Sequence, residues 1–397
     1  MFNFDNCVNK AETGNLKYFL TPDTLKRDGI VSYSGAEMEF KTAPSIIASL
    51  SDFVSRGAYG FTLCDDKYRS CVAKWMKTQR NFSIEKEWII STLGTIFSVA
   101  TTIRLLTKPN EGIIVSPPVY YRYEQAANRL GRKTVYNYLK NNGGKYSIDF
   151  ENLDELMSKP ENKLYILCNP HNPISKVWNK EDLERLAEIA NKHGVIIFSD
   201  EIFGEVTFGK NTCIPFCTVK GGEKAIVCTS LGKTFNFTGV NHANVIIKDD
   251  ELRKCFINQR NADHYGSVDP FFYAAINGAY TDEGAKWKDE MVSHVEECFR
   301  LIVNFFNLHL PDVIISPLEG TYVIWLDWRK HFNTDESLME FLKTEASLYT
   351  DLGSEYGSEE GFTRLSIAVP FKDLNRSLEL LLEAGRKRGI INREGVK

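Results

Sequence analysis

Five short runs in the middle of the chain are apolar at nearly every position: EGIIVS (111–116), KLYILCNP (163–170), GVIIFSDE (194–201), KAIVCTS (224–230) and ANVII (243–247). A strand with one wet face alternates apolar and polar residues. Unbroken runs therefore predict strands buried on both faces, as in a parallel sheet covered by helices. Between the second and third runs lies KEDLERLAEIANKHG, in which Leu183, Leu186, Ala187 and Ala190 recur at i, i+3, i+4 and i+7 and Gly194 supplies a stop. Strand, helix and strand in that order make a βαβ unit, so the fold class expected is α/β with a mostly parallel central sheet. A further strand-like segment, WIIS (88–91), turns through Thr92-Leu93-Gly94 into a helical run from Thr95.

Beyond residue 286 the pattern changes. A long amphipathic stretch (287–310) leads to DVIIS (312–316), TYVIWLDW (321–328), a helical ESLMEFLKTEA (336–346), FTRLSIAV (362–369) and a last helix from about Lys372. Two or three strands against helices predict a smaller α+β domain. The expected division is a large domain over 47–286, a small one over 287–397, and an N-terminal segment, 1–46, packed on the small domain. A cleft between such domains is the default binding site.

Composition narrows the class. The 397 residues are 43% hydrophobic and 25% charged, enough for more than one core. Forty-eight Lys and Arg against 52 Asp and Glu leave a net charge of −4 without a basic stripe, which argues against a nucleic-acid partner. No apolar run approaches the ~20 residues that span a bilayer. The start, MFNFDNCVNKAETGN, lacks the basic and apolar regions of a signal peptide. The nine cysteines are scattered and form no C-x-x-C pair, so neither a zinc site nor a disulfide framework is expected. A cytoplasmic protein with reduced thiols is the expectation.

In a parallel α/β sheet, ligands bind beyond the carboxyl ends of the strands. The runs lead there into Asn169-Pro-His-Asn172-Pro173, Ser199-Asp200-Glu201, Thr229-Ser230-Leu-Gly-Lys233-Thr234, and the turn at Gly94 before Thr95 and Ile96. That edge would gather an amide, a carboxylate, an amine, hydroxyls and a helix N-terminus. The inventory suits pyridoxal phosphate, whose aldehyde takes an amine, whose pyridine nitrogen takes a carboxylate, and whose phosphate takes a helix N-terminus. Tyr120, just past EGIIVS, is placed to stack on a ring.

These segments, together with Gly361-Phe-Thr-Arg364-Leu-Ser, resemble the signatures of fold-type I pyridoxal-phosphate enzymes. AEMEFKTAP (36–44), YGFT (59–62), NPHNPISKVW (169–178), GKTFNF (232–237) and EGTYVIWLD (319–327) make the chain most similar to the aminotransferase class I/II branch that holds the MalY/PatB-type cystathionine β-lyases. The resemblance implies a Schiff-base role for Lys233, pairing of Asp200 with the pyridine nitrogen, and a bond from Asn172 to the ring oxygen. It implies stacking by Tyr120 and a phosphate site at Ser230 and the backbone of Gly94, Thr95 and Ile96. Arg364, with Asn172 beside it, would bind the substrate α-carboxylate through its planar fork. The implied partners are a small amino-acid substrate and a second copy of the chain, with the YGFT segment crossing the dimer interface.

Several positions depart from that pattern. Phe61 stands where a tyrosine usually reaches the partner's cofactor phosphate, and a phenyl ring cannot make that bond. Phe203 replaces a His or Tyr, Ser175 a glycine, Glu37 and Glu39 aspartates, and Ser34 a tryptophan. Asn241 stands where aminotransferases carry a basic residue. The resemblance implies a carbon–sulfur β-lyase that converts a sulfur-substituted amino acid to thiol, pyruvate and ammonia. Alternatives are an aminotransferase, a specialised biosynthetic enzyme of the same branch, and, in a different class, a cofactor-bound regulator.

Overall fold

The computed structural model describes residues 2–263 and 265–392. Met1 and residues 393–397, the outer ends of the expected 1–46 and 287–397 units, lie outside the described residues. Seven strands form the large sheet: β1 (Ile89–Thr92), β2 (Gly112–Val115), β3 (Lys133–Tyr136), β4 (Asn162–Cys168), β5 (Ile196–Asp200), β6 (Ile226–Thr229) and β7 (Ala243–Ile247). Their order is β1-β7-β6-β5-β4-β2-β3.

Both faces of the sheet are covered, which explains the unbroken apolar runs. Along β4, Leu164, Ile166 and Cys168 point into one core, with Val99 and Ile103 of the helix Thr95–Leu106. Tyr165 and Leu167 point into the other, with Leu183, Leu186 and Ala187 of the helix Lys180–His193. That helix is capped by Asn179 and ends at Gly194 with φ 68°, the left-handed stop expected there.

Strands β2 to β6 pair in parallel. The run read as one more parallel strand, β7, instead lies antiparallel to both β6 and β1. A strand buried on both faces has the same composition in either direction, so the pattern could not reveal it. Because β7 is reversed between them, β1 and β6 run the same way. The carboxyl ends of β1 to β6 therefore share one edge, and β7 starts at it.

A second, antiparallel sheet takes its strands from the last third of the chain: β8 (Ile314–Ile315), β9 (Val323–Asp327), β10 (Asp351–Leu352) and β11 (Phe362–Ser366), in the order β8-β9-β11-β10. Three of the four follow the expected apolar runs, and the two-residue β10 carries no such signal. The helix Asp282–His309 and the final helix Phe371–Arg388 stand where expected, while the predicted helix over 336–346 is α-helical over Asp335–Met339 and π-helical over Glu340–Glu345. The N-terminal segment lies along the small sheet: the Tyr33 and Glu39 N–H groups donate to the carbonyls of Tyr349 and Ala368 at 2.8 and 3.0 Å. Among the described residues, no helix is long and apolar enough to cross a membrane.

Beneath the edge of β5 lies a fully buried ion pair. Arg80 Nη2 donates to Glu201 Oε2 at 2.6 Å, and Glu201 also accepts from Ser199 Oγ and Phe216 N at 2.8 Å. Burial raises the Glu201 carboxyl, and Arg80 opposes that shift. Removing one partner of such a pair strands the other charge, so Arg80→Ala is predicted to cost about 3–5 kcal/mol of stability, measured by urea unfolding.

Candidate active site

Each residue singled out from the sequence sits at or beyond the shared edge of the large sheet, apart from Arg364, which arrives from β11 of the small one. Asp200 ends β5 and is 3% exposed. Burial pushes its carboxyl up to about 6, while Tyr123 and the Ile202 N–H pull it back. Tyr123 OH donates to Asp200 Oδ2, and Ile202 N donates to Oδ1 at 3.2 Å.

Lys233 lies on the single turn Leu231–Thr234 after β6, with Ser230 as its N-cap. Its Nζ donates to the carbonyl of Ala36 at 2.8 Å, as does Tyr322 OH at 3.0 Å. Burial, with Arg364 nearby, lowers the amine to about 8, against the pull of Glu37 and Asp200. A good fraction of such an amine is neutral, and hence nucleophilic and basic, at physiological pH.

The helix Thr95–Leu106 starts immediately after Gly94, whose φ of 96° only glycine adopts readily. No side chain caps it, whereas Asp65, Asn179, Asp249 and Thr281 cap other helices. Its first N–H groups, at Thr95 and Ile96, are thus left for an anion. Gly94 and Ser230 converge on the chain leading into β7. A Cβ on Gly94 would lie 3.7 Å from His242 N, and Ser230 Oγ donates to the His242 carbonyl at 2.8 Å while accepting from Gly232 N at 3.1 Å. The Ser230 proton, expected at a phosphate, is directed to that carbonyl here.

Asn172 and Arg364 meet directly: Arg364 Nη1 donates to Asn172 Oδ1 at 3.0 Å. The amide thus keeps Nδ2 as the donor it can offer a ring oxygen. Tyr120 is half-buried beyond β2 and meets Tyr123 edge to face at 5.6 Å. Burial raises its phenol to about 12, and Arg364 and Asp200 are both close enough to act on it.

The departures have structural counterparts. Ser175 adopts φ 58°, the left-handed conformation that glycine favours, and its hydroxyl donates to the Val323 carbonyl. Phe203 is buried against Tyr322, and Lys233 Nζ lies 5.8 Å from the Phe203 ring centre. Glu39 is paired with Lys17 and Lys10 at 2.5 and 3.0 Å. Asn241 is exposed, with its backbone beside Gly94. Phe61 is fully exposed, as are much of Tyr59 and Leu63 on either side of it.

Two members of the site escaped the sequence reading. Tyr123, in the aromatic run YYRY, reads as core and carries no mark of its bond to Asp200. Asp351, in a stretch that reads as a loop, is the ion-pair partner of Arg364.

Residues 32–381 match the aminotransferase class I and II family, and the chain belongs to that family. It is 29% identical over 385 residues to the cystathionine β-lyase PatB of Bacillus subtilis (strain 168), a match covering 96% of this chain and 99% of that one. It is 27% identical over 389 residues to the protein MalY of Escherichia coli (strain K12), covering 97% and 99%. The crystal structure of cystalysin from Treponema denticola, which contains pyridoxal 5′-phosphate, matches with a TM-score of 0.92 at 30% identity, over 98% of this chain and 100% of that one.

The Tyr123 bond favours the charged form of Asp200. In the cofactor-free protein, Tyr123→Phe is therefore predicted to raise the Asp200 carboxyl further above about 6. Carbon-detected NMR titration of the aspartate carboxyls checks this, and an unchanged or lower value would refute it.

Proposed function

We propose that this chain is a pyridoxal-phosphate-dependent carbon–sulfur β-lyase, cleaving a sulfur-substituted amino acid to a thiol, pyruvate and ammonia. One observation carries the reading. A half-buried lysine, its amine lowered to about 8, lies within electrostatic reach of both a buried aspartate and a buried arginine. The cofactor is pyridoxal 5′-phosphate, and the residues present fit it: a neutralisable amine, a carboxylate at a strand end, and an uncapped helix N-terminus behind a glycine. The likeness to PatB, a cystathionine β-lyase, favours the lyase over an aminotransferase.

When bound, the cofactor supplies an aldehyde for the substrate amine and a cationic ring that takes up the electron pair left at Cα. Lys233 is the residue that would take the aldehyde, and its amine, lowered by burial, is the base that would accept the Cα proton. Proton transfer by a positioned side chain of this kind contributes ~10²–10⁴-fold. Asp200, whose charged form the Tyr123 hydroxyl favours, would hold a proton on the pyridine nitrogen. Asn172 would offer its Nδ2 to the ring oxygen, and Tyr120 would face the ring. The N–H groups of Thr95 and Ile96, behind Gly94, would hold the phosphate, and Ser230 would join them only by turning its hydroxyl away from the His242 carbonyl. Arg364 receives the α-carboxylate. The sulfur would leave with the C–S electron pair and take a proton from Lys233 or water to give the thiol, and hydrolysis of the remainder would give pyruvate and ammonia.

The same reading includes a homodimer built on the exposed Tyr59, Phe61 and Leu63, and a small domain in which residues 1–46 join 287–397 against 47–286. The backbone bonds of Tyr33 and Glu39 to the small-sheet region support that division. We place the activity in the cytoplasm, in keeping with nine free thiols.

Purified protein should carry the absorbance band of a lysine-bound cofactor and release pyruvate, ammonia and thiol from cystathionine without any oxo acid. Strict dependence on an oxo-acid acceptor would establish an aminotransferase instead, and Lys233→Ala should abolish the band. Light scattering should give twice the mass of the chain, and Phe61→Asp, which puts a charge on the apolar interface, should shift the protein towards monomer.

A further inference from the structure

The clamp expected to receive the substrate carboxylate already holds a carboxylate of its own. Arg364 is 3% exposed, and its Nε donates to Asp351 Oδ2 at 3.0 Å, with Nη2 on the same oxygen. With Nη1 on Asn172, three of the five guanidinium N–H bonds are committed, leaving two for a ligand. The pairing is built into the sheet, where Asp351 of β10 and Arg364 of β11 are direct cross-strand partners.

Asp351 does not depend on Arg364 for its position. Ser34 Oγ donates to it at 2.5 Å, Gly35 N at 3.0 Å and Tyr356 OH at 3.3 Å. Although burial opposes its charge, Arg364, Ser34 and Gly35 hold the carboxyl below the usual carboxylate range. A group tied by three further donors does not leave when a ligand approaches Arg364. An incoming carboxylate therefore meets a neutral ion pair with a fixed anion a few ångströms away, in a buried site where screening is weak. An uncharged carboxamide meets the same hydrogen-bond donors without that repulsion.

We propose that Asp351 is a specificity-determining residue that weakens the site's preference for a free α-carboxylate, so that α-amino amides are accepted beside α-amino acids. The proposal deepens the lyase reading and rests on it, since the ligand must reach Arg364 while its amine engages the cofactor. A purely structural Asp351, needed only to orient Arg364, makes the opposite prediction, because its loss would weaken acid and amide together.

The test uses holoenzyme and two ligands without a Cα proton, 2-aminoisobutyric acid and its amide, with binding read from the cofactor absorbance. In wild type the two dissociation constants should lie within about tenfold of each other. In Asp351→Asn the acid should bind on the order of tenfold more tightly, with the amide changed less than about twofold. Asp351→Ser also removes the charge, must give the same shift, and covers failure of the asparagine variant to fold. Weaker or unchanged acid binding in the folded variants would overturn the proposal, as would wild-type amide binding far weaker than acid binding. If neither ligand perturbs the absorbance of any form, the cofactor–amine reading fails, and the proposal with it.

Discussion

Because helices cover both faces of the large sheet, a charged side chain within a strand has no water to meet, and the charged groups collect where the strands end. The parallel pairing of β2 to β6 then decides which end. With six carboxyl ends on one edge, the loops carrying Gly94, Tyr120, Asn172, Asp200 and Lys233 are forced together, although they are spread over about a third of the chain. The chemistry is a product of that crowding: Lys233 loses basicity because it is buried near Arg364, and Asp200 gains it because it is buried at a strand end.

Burial at this edge is tolerable only because nearly every charge has a partner. Glu201 has Arg80, Arg364 has Asp351, and Glu39 has Lys17 and Lys10. Lys233 is the exception that matters. Among the described residues its amine meets a carbonyl and an aromatic ring but no carboxylate within ion-pair distance, so the neutral form costs little. An amine with a closely bound counter-ion would stay protonated and inert as a nucleophile.

The legible part of the molecule was what hydrophobicity and local motifs encode. The five central runs are strands, the helix after Asn179 stops at Gly194, and the polar groups after the first four runs do share an edge. Direction was not legible, because β7 is as apolar as its parallel neighbours. Nor was β3, whose KTVY sits at the sheet edge with exposed ends and lacks the buried pattern. Tyr123 and Asp351 were hidden for a different reason. Their importance lies in the partner each meets, Asp200 across 77 residues and Arg364 across the small sheet, and no local spacing records that.

The serine at 175 has a mechanical consequence. Its carbonyl accepts from Glu319 N and Gly320 N at 3.1 and 2.9 Å, its hydroxyl holds the Val323 carbonyl, and Phe208 N and Val206 O bond the same segment. The loop after β4 is thereby stitched to the root of β9, which lies beside β11 and Arg364. That seam ties the loop that carries Asn172 to the strand beside Arg364, so the amide and the guanidinium are indexed to each other by bonds outside their own contact.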